Sequence, residues 1–431
     1  MNYQEAEDWL DQLQFFTIKL GLETTRTLLA ELGNPQDRLK IIHVAGTNGK
    51  GSVGATLLSI LSAAGIRTGF YSSPHLSMVR ERFRINDSYM SASDFAGLVT
   101  RLATFLHDRP LPTYFECTTL LALLWFAEQQ AEVVILETGM GGRLDATNVV
   151  LPLITIITDI SRDHEQYLGS TLRAIAGEKA GIIKPGVPVI FSGRAAEAVP
   201  VIEARCQEQQ SPLFMYDHHF SGARTSDGGL DYRPIAGTLR ANLPLTLQGE
   251  HQVVNTSLAL AALEQLAPVF PVSPQALTTG LRQARWPGRM ELVPIHHQEK
   301  PLCFLLDGAH NEAGVAALVQ SLEHDYPHHR LLLVWGNMAD KLMGAAFLDL
   351  LARADAIVLT RAETQRSAVP VALFAQLPSQ LQAKACCAET VEHALEMIQM
   401  VAAPDDLICV AGSLYLVGRV RQLLLGDLTT E

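Results

Sequence analysis

The sequence has no apolar run long enough to cross a membrane. Its longest runs, such as Leu120 to Ala127, fall far short of the ~18 residues a span needs. Its six cysteines, Cys117, Cys206, Cys303, Cys386, Cys387 and Cys409, form no CxxC pair. Neither a zinc site nor a disulfide framework is therefore indicated, and the thiols read as buried and reduced. The first residues, Met1-Asn2-Tyr3-Gln4-Glu5-Ala6-Glu7-Asp8, are acidic and lack the apolar centre of a secretory signal. There is no short internal repeat and no low-complexity tract. Positive charge is in deficit: 33 Lys and Arg stand against 45 Asp and Glu, a formal net charge of −12. An acidic chain repels nucleic-acid phosphates, although a local basic pocket for a small anion is compatible with it. These absences point away from membranes, secretion and non-specific nucleic-acid binding, towards a cytoplasmic protein.

The chain has 431 residues, enough for two to four domains, and 48% of them are hydrophobic, ample for a sizeable core. Apolar runs of strand length alternate with helical patterns. Leu39 to Ala45, Ile66 to Tyr71, Glu132 to Leu136, Leu153 to Thr158 and Val187 to Phe191 read as strands. A Gly-rich turn and a helix, Val53 to Ala64, follow the first of them. Nearly continuous apolar strands separated by helices indicate a parallel sheet covered on both faces. A second series reads as strands at Leu302 to Leu306, Leu331 to Trp335, Ala356 to Thr360 and Leu407 to Ala411. Helices are expected between them, at Glu312 to Glu323 and Thr390 to Val401. Arg285-Trp286-Pro287-Gly288-Arg289 suits a junction, giving expected domains at 1–287 and 288–431. The polar, turn-rich stretch from about 210 to 245 reads as a β-rich excursion.

Three constellations carry chemistry. Gly46-Thr47-Asn48-Gly49-Lys50-Gly51-Ser52 follows a strand and opens a helix. There backbone N–H groups and a helix N-terminus hold anions. Lys50 suits β/γ-phosphates and the Ser52 hydroxyl suits Mg²⁺. The match to the usual phosphate loop is imperfect, because only two residues separate Gly46 from Gly49 and Gly51 intervenes before Ser52. A tight turn with an exposed lysine is the plain alternative. Glu137 ends a strand and precedes the glycine-rich loop Thr138 to Asn148. A strand-end carboxylate faces the ligand crevice of an open α/β sheet and suits Mg²⁺. The glycines alone are equally compatible with a structural turn. Thr158-Asp159-Ile160-Ser161-Arg162-Asp163-His164 and Glu178-Lys179-Ala180-Gly181-Ile182 form the third. On spacing alone, His164 reads as a structural histidine and Lys179 as a surface or phosphate-pairing residue.

Taken together, these segments resemble the folylpolyglutamate synthase/dihydrofolate synthase family of the Mur-ligase superfamily. The resemblance also rests on Ser73-Pro74-His75-Leu76, Pro287-Gly288-Arg289 and Asp307-Gly308-Ala309-His310-Asn311, in the family's order, and runs from about residue 15 to about 420. It implies an α/β fold: an N-terminal P-loop parallel-sheet ATPase domain binding ATP and pterin, plus a smaller C-terminal Rossmann-like α/β domain that ligates glutamate. The implied reaction is ATP-dependent ligation of L-glutamate, through an acyl phosphate, to dihydropteroate or to the γ-carboxylate of reduced folates. The family pattern implies that Gly46, Thr47, Asn48, Gly49, Lys50, Gly51 and Ser52 hold the nucleotide, with Asn255 near the adenine. It implies Mg²⁺, two ions in all, at Ser52, Glu137 and His164, and a carbamylated Lys179. Arg289, Asp307 and His310 would reach the nucleotide and the incoming glutamate. Asp307 reads otherwise as a residue capping the helix after its strand. Ser73, Pro74, His75, Tyr114, Phe115 and Glu116 would line the pterin site, with Arg143 and Asp145 also on the substrate. Lys341 departs from the pattern: the family has Asp-Lys-Asp where this chain has Asp340-Lys341-Leu342.

Both activities in one protein are favoured, because the acidic N-terminal segment with Leu20-Gly21-Leu22-Glu23 resembles the bifunctional bacterial type. The protein is expected to act as a monomer on small molecules, without nucleic acid or membrane. The sequence leaves open a monovalent cation requirement. Two other readings stand beside this one. A ligase of cell-wall precursors is disfavoured by the forms of Ser73 to Leu76 and Asp307 to Asn311. A non-catalytic nucleotide-binding module is disfavoured by Lys50, Ser52, Glu137, His164 and Lys179 occurring together.

Overall fold

The computed structural model describes residues 1–13, 21–297, 300–339, 344–362 and 367–426. Leu20, and Asp340, Lys341 and Leu342 of the departing motif, lie outside the described residues. The chain forms two compact units. Met1–Thr246 and His251–Arg285 make the first, Leu247–Glu250 and Trp286–Glu431 the second. No described helix is long and apolar enough to cross a membrane.

The first unit is built on β1 (Ile41–Ala45), β2 (Thr68–Tyr71), β3 (Phe83–Ile85), β4 (Ser88–Tyr89), β5 (Val133–Glu137), β6 (Ile154–Ile157), β7 (Val189–Phe191) and β8 (Leu213–Met215). They lie in the order β4-β3-β2-β5-β1-β6-β7-β8. The six strands from β2 to β8 run parallel. β3 and β4 extend the edge antiparallel. The expectation of a parallel sheet holds for those six strands. The extension went unread because strands of three and two residues leave no periodic signal.

The buried strands explain the layering. Side chains alternate across the sheet. On one face Ile41, Leu136 and Tyr71 meet the helices Tyr3–Gln12, Glu23–Glu31, Ala92–Phe105 and Tyr114–Glu128. Farther along that face, Ile157, Val189 and Phe191 meet the helices Leu172–Ala180 and Val199–Glu208. The opposite face carries Phe70, against which Gly54 of the helix Lys50–Ala63 is packed too closely for a Cβ. That helix packs in turn on His251–Leu266 and Pro274–Gln283. It starts at Lys50, three residues before the expected Val53, because Gly51 and Ser52 are weak helix formers that sequence patterning discounts.

The β-rich excursion is present as β9 (Ser221–Arg224), β10 (Leu230–Arg233) and β11 (Arg240–Leu243), an antiparallel sheet. Tyr232 anchors it by donating from Oη to Glu264 Oε1 at 2.6 Å.

The second unit carries β12 (Glu291–His297), β13 (Lys300–Leu306), β14 (Leu331–Trp335), β15 (Ala356–Leu359), β16 (Ala385–Cys387) and β17 (Leu407–Ala411). Their order is β12-β13-β17-β14-β15-β16, parallel except for β12. Its core is aliphatic around Trp335, whose ring lies 4.7 Å from that of Phe347. The cysteines are free. Cys117, Cys206 and Cys409 are buried as expected, whereas Cys303, Cys386 and Cys387 are only partly so.

Candidate active site

The phosphate loop leaves β1 and enters the helix Lys50–Ala63. Gly49 caps that helix at φ +87°, in the left-handed region, and a Cβ there would strike Asn255 Oδ1. The segment after β6 straps the loop down. Thr47 N donates to Asp159 O at 2.7 Å, and Asn48 Nδ2 to Asp159 Oδ2 at 3.2 Å. Thr158 Oγ1 donates to Asn48 O at 2.7 Å. Lys50 Nζ donates to the carbonyls of Gly46 at 3.0 Å and Thr47 at 3.2 Å, so the lysine folds over its own loop. It is not the exposed lysine of the plain-turn alternative: its side chain is 14% accessible and its Nζ lies 3.9 Å from Glu137 Oε1.

Glu137 ends β5 next to β1 in the sheet and is only 4% exposed. Ser52, equally buried, lies a turn into the helix. Its Oγ accepts from Gln252 Nε2 at 3.2 Å, and Asn255 Nδ2 donates to Gln252 Oε1 at 3.0 Å.

The glycine loop 139–142 packs against the helix Leu172–Ala180. Arg143 N donates to Glu178 O at 2.7 Å, and Arg143 Nη2 to Glu178 Oε1 at 2.8 Å. Asp145 is buried and holds the loop, accepting from Met140 N at 2.8 Å, Thr147 N at 3.0 Å and Thr147 Oγ1 at 2.5 Å. Burial raises its pKa while those hydrogen bonds oppose the rise. Thr147 Oγ1 also lies 2.9 Å from Nε2 of His43. Burial, and then the charge of Lys184, holds that imidazole neutral, with a pKa of about 3.

Lys179 corrects the spacing-only reading of a surface residue: it is 2% exposed. Burial, and then the charge of Lys50, lower its pKa from 10.5 to about 7 against the pull of Asp159, Asp163 and Asp145. His164 sits at φ +50°, its N accepted by Asp163 Oδ1 at 2.8 Å and its Nε2 4.0 Å from Asp163 Oδ2.

The remaining candidates of this unit form two groups. Arg82 Nε donates to His75 Nδ1 at 2.9 Å, and its guanidinium lies 5.4 Å from the Tyr114 ring centre. Desolvation and Arg82 keep His75 neutral. Pro74 precedes His75, and Ser73 Oγ is buried with no hydrogen bond among the described residues. Glu116, by contrast, has both oxygens engaged within the fold, Oε1 accepting from Thr25 Oγ1 at 3.4 Å. Its Oε2 accepts from Thr113 N at 2.8 Å, and its N donates to Thr113 Oγ1 at 3.2 Å. Phe115 packs on Tyr71, with ring centres 6.1 Å apart.

In the second unit, Asp307 follows β13 and spends both oxygens on backbone: Oδ1 accepts from Ala309 N and Oδ2 from Met290 N, each at 2.9 Å. The following helix is capped by Asn311 instead. Arg289 lies against Gly308, where a Cβ would strike its Nη1. His310 Nδ1 donates to Gly308 O at 2.7 Å.

The chain matches the Mur ligase middle domain over residues 44–263 and the Mur ligase glutamate ligase domain over 288–414. It is 34% identical, over 98% of its length and 99% of the relative's, to a dihydrofolate synthase/folylpolyglutamate synthase of Bacillus subtilis. The chain belongs to the folylpolyglutamate synthase/dihydrofolate synthase family of Mur ligases. Solved members of this ligase family superpose well. Mycobacterium tuberculosis folylpolyglutamate synthase complexed with ADP gives a TM-score of 0.90 at 29% identity, covering 99% of this chain and 98% of that one. E. coli FolC in complex with DHPP and ADP gives 0.86 at 31% identity, covering 97% of each.

Two residues in contact with the candidate site residues, Gln252 and Arg82, are not singled out by the sequence. Gln252 stands three residues before Asn255 on one helical face, a spacing that hinted at a pair. Arg82 gave no signal, because its contacts to His75 and Tyr114 are tertiary.

Proposed function

We propose that this chain joins L-glutamate, at the expense of ATP, to dihydropteroate and to the γ-carboxylate of reduced folates. One observation carries the reading: Lys50 of a strapped phosphate loop stands 3.9 Å from the buried strand-end carboxylate of Glu137, in a chain of this ligase family.

An oxygen of the acceptor carboxylate bonds to the γ-phosphorus as the β–γ bridging bond breaks, giving an acyl phosphate and ADP. The glutamate nitrogen then bonds to the acyl carbon, phosphate leaves and the amine sheds a proton. The protein's part is positioning and charge neutralisation. Lys50 and the loop from Gly46 to Ser52 hold the phosphates, with Asn255 toward the adenine. The Ser52 hydroxyl and Glu137 carboxylate are hard oxygen donors of the kind Mg²⁺ takes, and His164 is assigned to a second ion. Bound there, Mg²⁺ neutralises phosphate charge. Ser73, His75, Tyr114 and Phe115 serve the pterin, Arg143 and Asp145 keep the adjacent loop in place, and Arg289, Asp307 and His310 receive nucleotide and glutamate. Residues 1–287 would be the ATP- and pterin-binding domain and 288–431 the glutamate-ligase domain.

Lys179 is carbamylated in this reading. With a pKa of about 7 its amine is substantially neutral at physiological pH, and its nitrogen can bond to the carbon of CO₂ with loss of a proton. The product is an anion beside Lys50 in place of a repelled cation. The neutral fraction grows as pH rises through 7, so carbamylation and turnover rise together there. NMR with ¹³C-bicarbonate should give one carbamate signal that Lys179→Gln abolishes; the same spectrum from both would refute the modification.

The deciding assay is glutamate- and Mg²⁺-dependent phosphate release with dihydropteroate and, separately, with tetrahydrofolate. Turnover with both is expected. Turnover with one reduces the proposal to a single activity, and silence with both in protein that binds ATP overturns the acceptor assignment.

A further inference from the structure

We infer that Gln252 is a positioning residue that sets the Ser52 hydroxyl for the metal of the nucleotide. The inference rests on the ATP-dependent reading above. Gln252 is the second residue of the helix His251–Leu266 and is only 1% exposed. Its amide is fixed by its neighbours. Nε2 donates to Ser52 Oγ at 3.2 Å and lies 3.2 Å from His251 Nε2, while Oε1 accepts from Asn255 Nδ2 at 3.0 Å. Turning the Gln252 amide alone would set nitrogen against nitrogen at Asn255, so the two amides are matched to each other.

The consequence falls on Ser52. A hydroxyl oxygen has two lone pairs and one proton. The Gln252 N–H takes one lone pair from the side of the helix–helix contact. The second lone pair and the proton are left for a cation and a phosphate oxygen. Asn255, at the other end of the relay, lies against Gly49 of the phosphate loop. One amide thus ties the loop glycine to the hydroxyl a turn deeper in the helix. Partners of this kind fix a ligand's orientation without touching the ion.

The test measures binding of an ATP analogue with a methylene β–γ bridge to the whole chain by calorimetry, with and without Mg²⁺. In Gln252→Met, of similar length, metal-free affinity should stay within about twofold, while the Mg²⁺ needed for half-maximal tightening rises about tenfold. Gln252→Leu serves should the Met variant fail a thermal-unfolding check. In a Ser52→Ala background, Gln252→Met should add nothing. Equal loss with and without Mg²⁺ would make Gln252 a packing residue and overturn the inference, as would an unshifted Mg²⁺ requirement or an additive double variant. Absence of nucleotide binding by the unaltered chain would overturn the functional reading itself, so the two failures are distinct.

Discussion

The turn after β1 and the turn after β13 each follow the carboxyl end of a parallel strand, yet they are wired with opposite polarity. In the first, donors are spent on carbonyls: Lys50 bonds the oxygens of Gly46 and Thr47, and Thr158 bonds that of Asn48. In the second, a carboxylate is spent on amides: Asp307 takes the N–H groups of Met290 and Ala309. A turn whose carbonyls are masked by cationic and hydroxyl donors presents positive potential and suits a polyphosphate. A turn that already carries its own anion suits an ammonium. Under the proposed function, the same position in two sheets would receive the two charged partners of one ligation, with the turn's own wiring setting the sign.

The largest expected effect lies in the first turn. Lys50→Ala should lower turnover by roughly a thousandfold or more, since phosphoryl transfer rests on such charge neutralisation. Thermal unfolding should barely move, and near-normal turnover would remove Lys50 from the mechanism. The second turn should answer in stability first. Asp307→Ala strips two buried N–H groups of their acceptor, a loss of roughly 2–5 kcal/mol by denaturant unfolding. Its glutamate KM should rise; a stable variant with unchanged KM would break the comparison. The smallest effect is expected from Gly308→Ala. The new methyl would meet the side chains of Arg289, at Nη1, and Leu414, at Cδ2 and Cγ, rather than backbone. Stability should fall by about 1–2 kcal/mol as they move aside. A larger proportional rise in nucleotide KM would sharpen the role of Arg289, and an unchanged KM would count against it.

The strands Leu331–Trp335 and Leu407–Ala411 are legible to the residue, because each is a continuous apolar run buried on both faces. β12 is not: Glu291–His297 alternates in burial and includes Pro294, as befits an antiparallel edge strand. Within the site, Lys50, Ser52 and Glu137 are legible because strand ends and glycine turns announce them. The Glu116 cap is a local Thr-x-x-Glu pattern that the sequence reading passes over, whereas the burial of Lys179 is not legible, since it depends on what the tertiary fold brings alongside. Gln252 is hidden for the same reason: its partner Ser52 is 200 residues away in the chain.

In the second unit, β17 lies between β13 and β14, although it follows every other strand of its sheet in the chain. During synthesis the ribosome therefore delivers the middle of this sheet after its flanks. Until residues 407–411 emerge, β13 and β14 each show an open edge to the gap, and apolar edges of that kind invite pairing with other chains. A stop codon before that strand would remove the sheet's central plank rather than its margin. The two flanking strands thus keep apolar edges open until residues 407–411 are made.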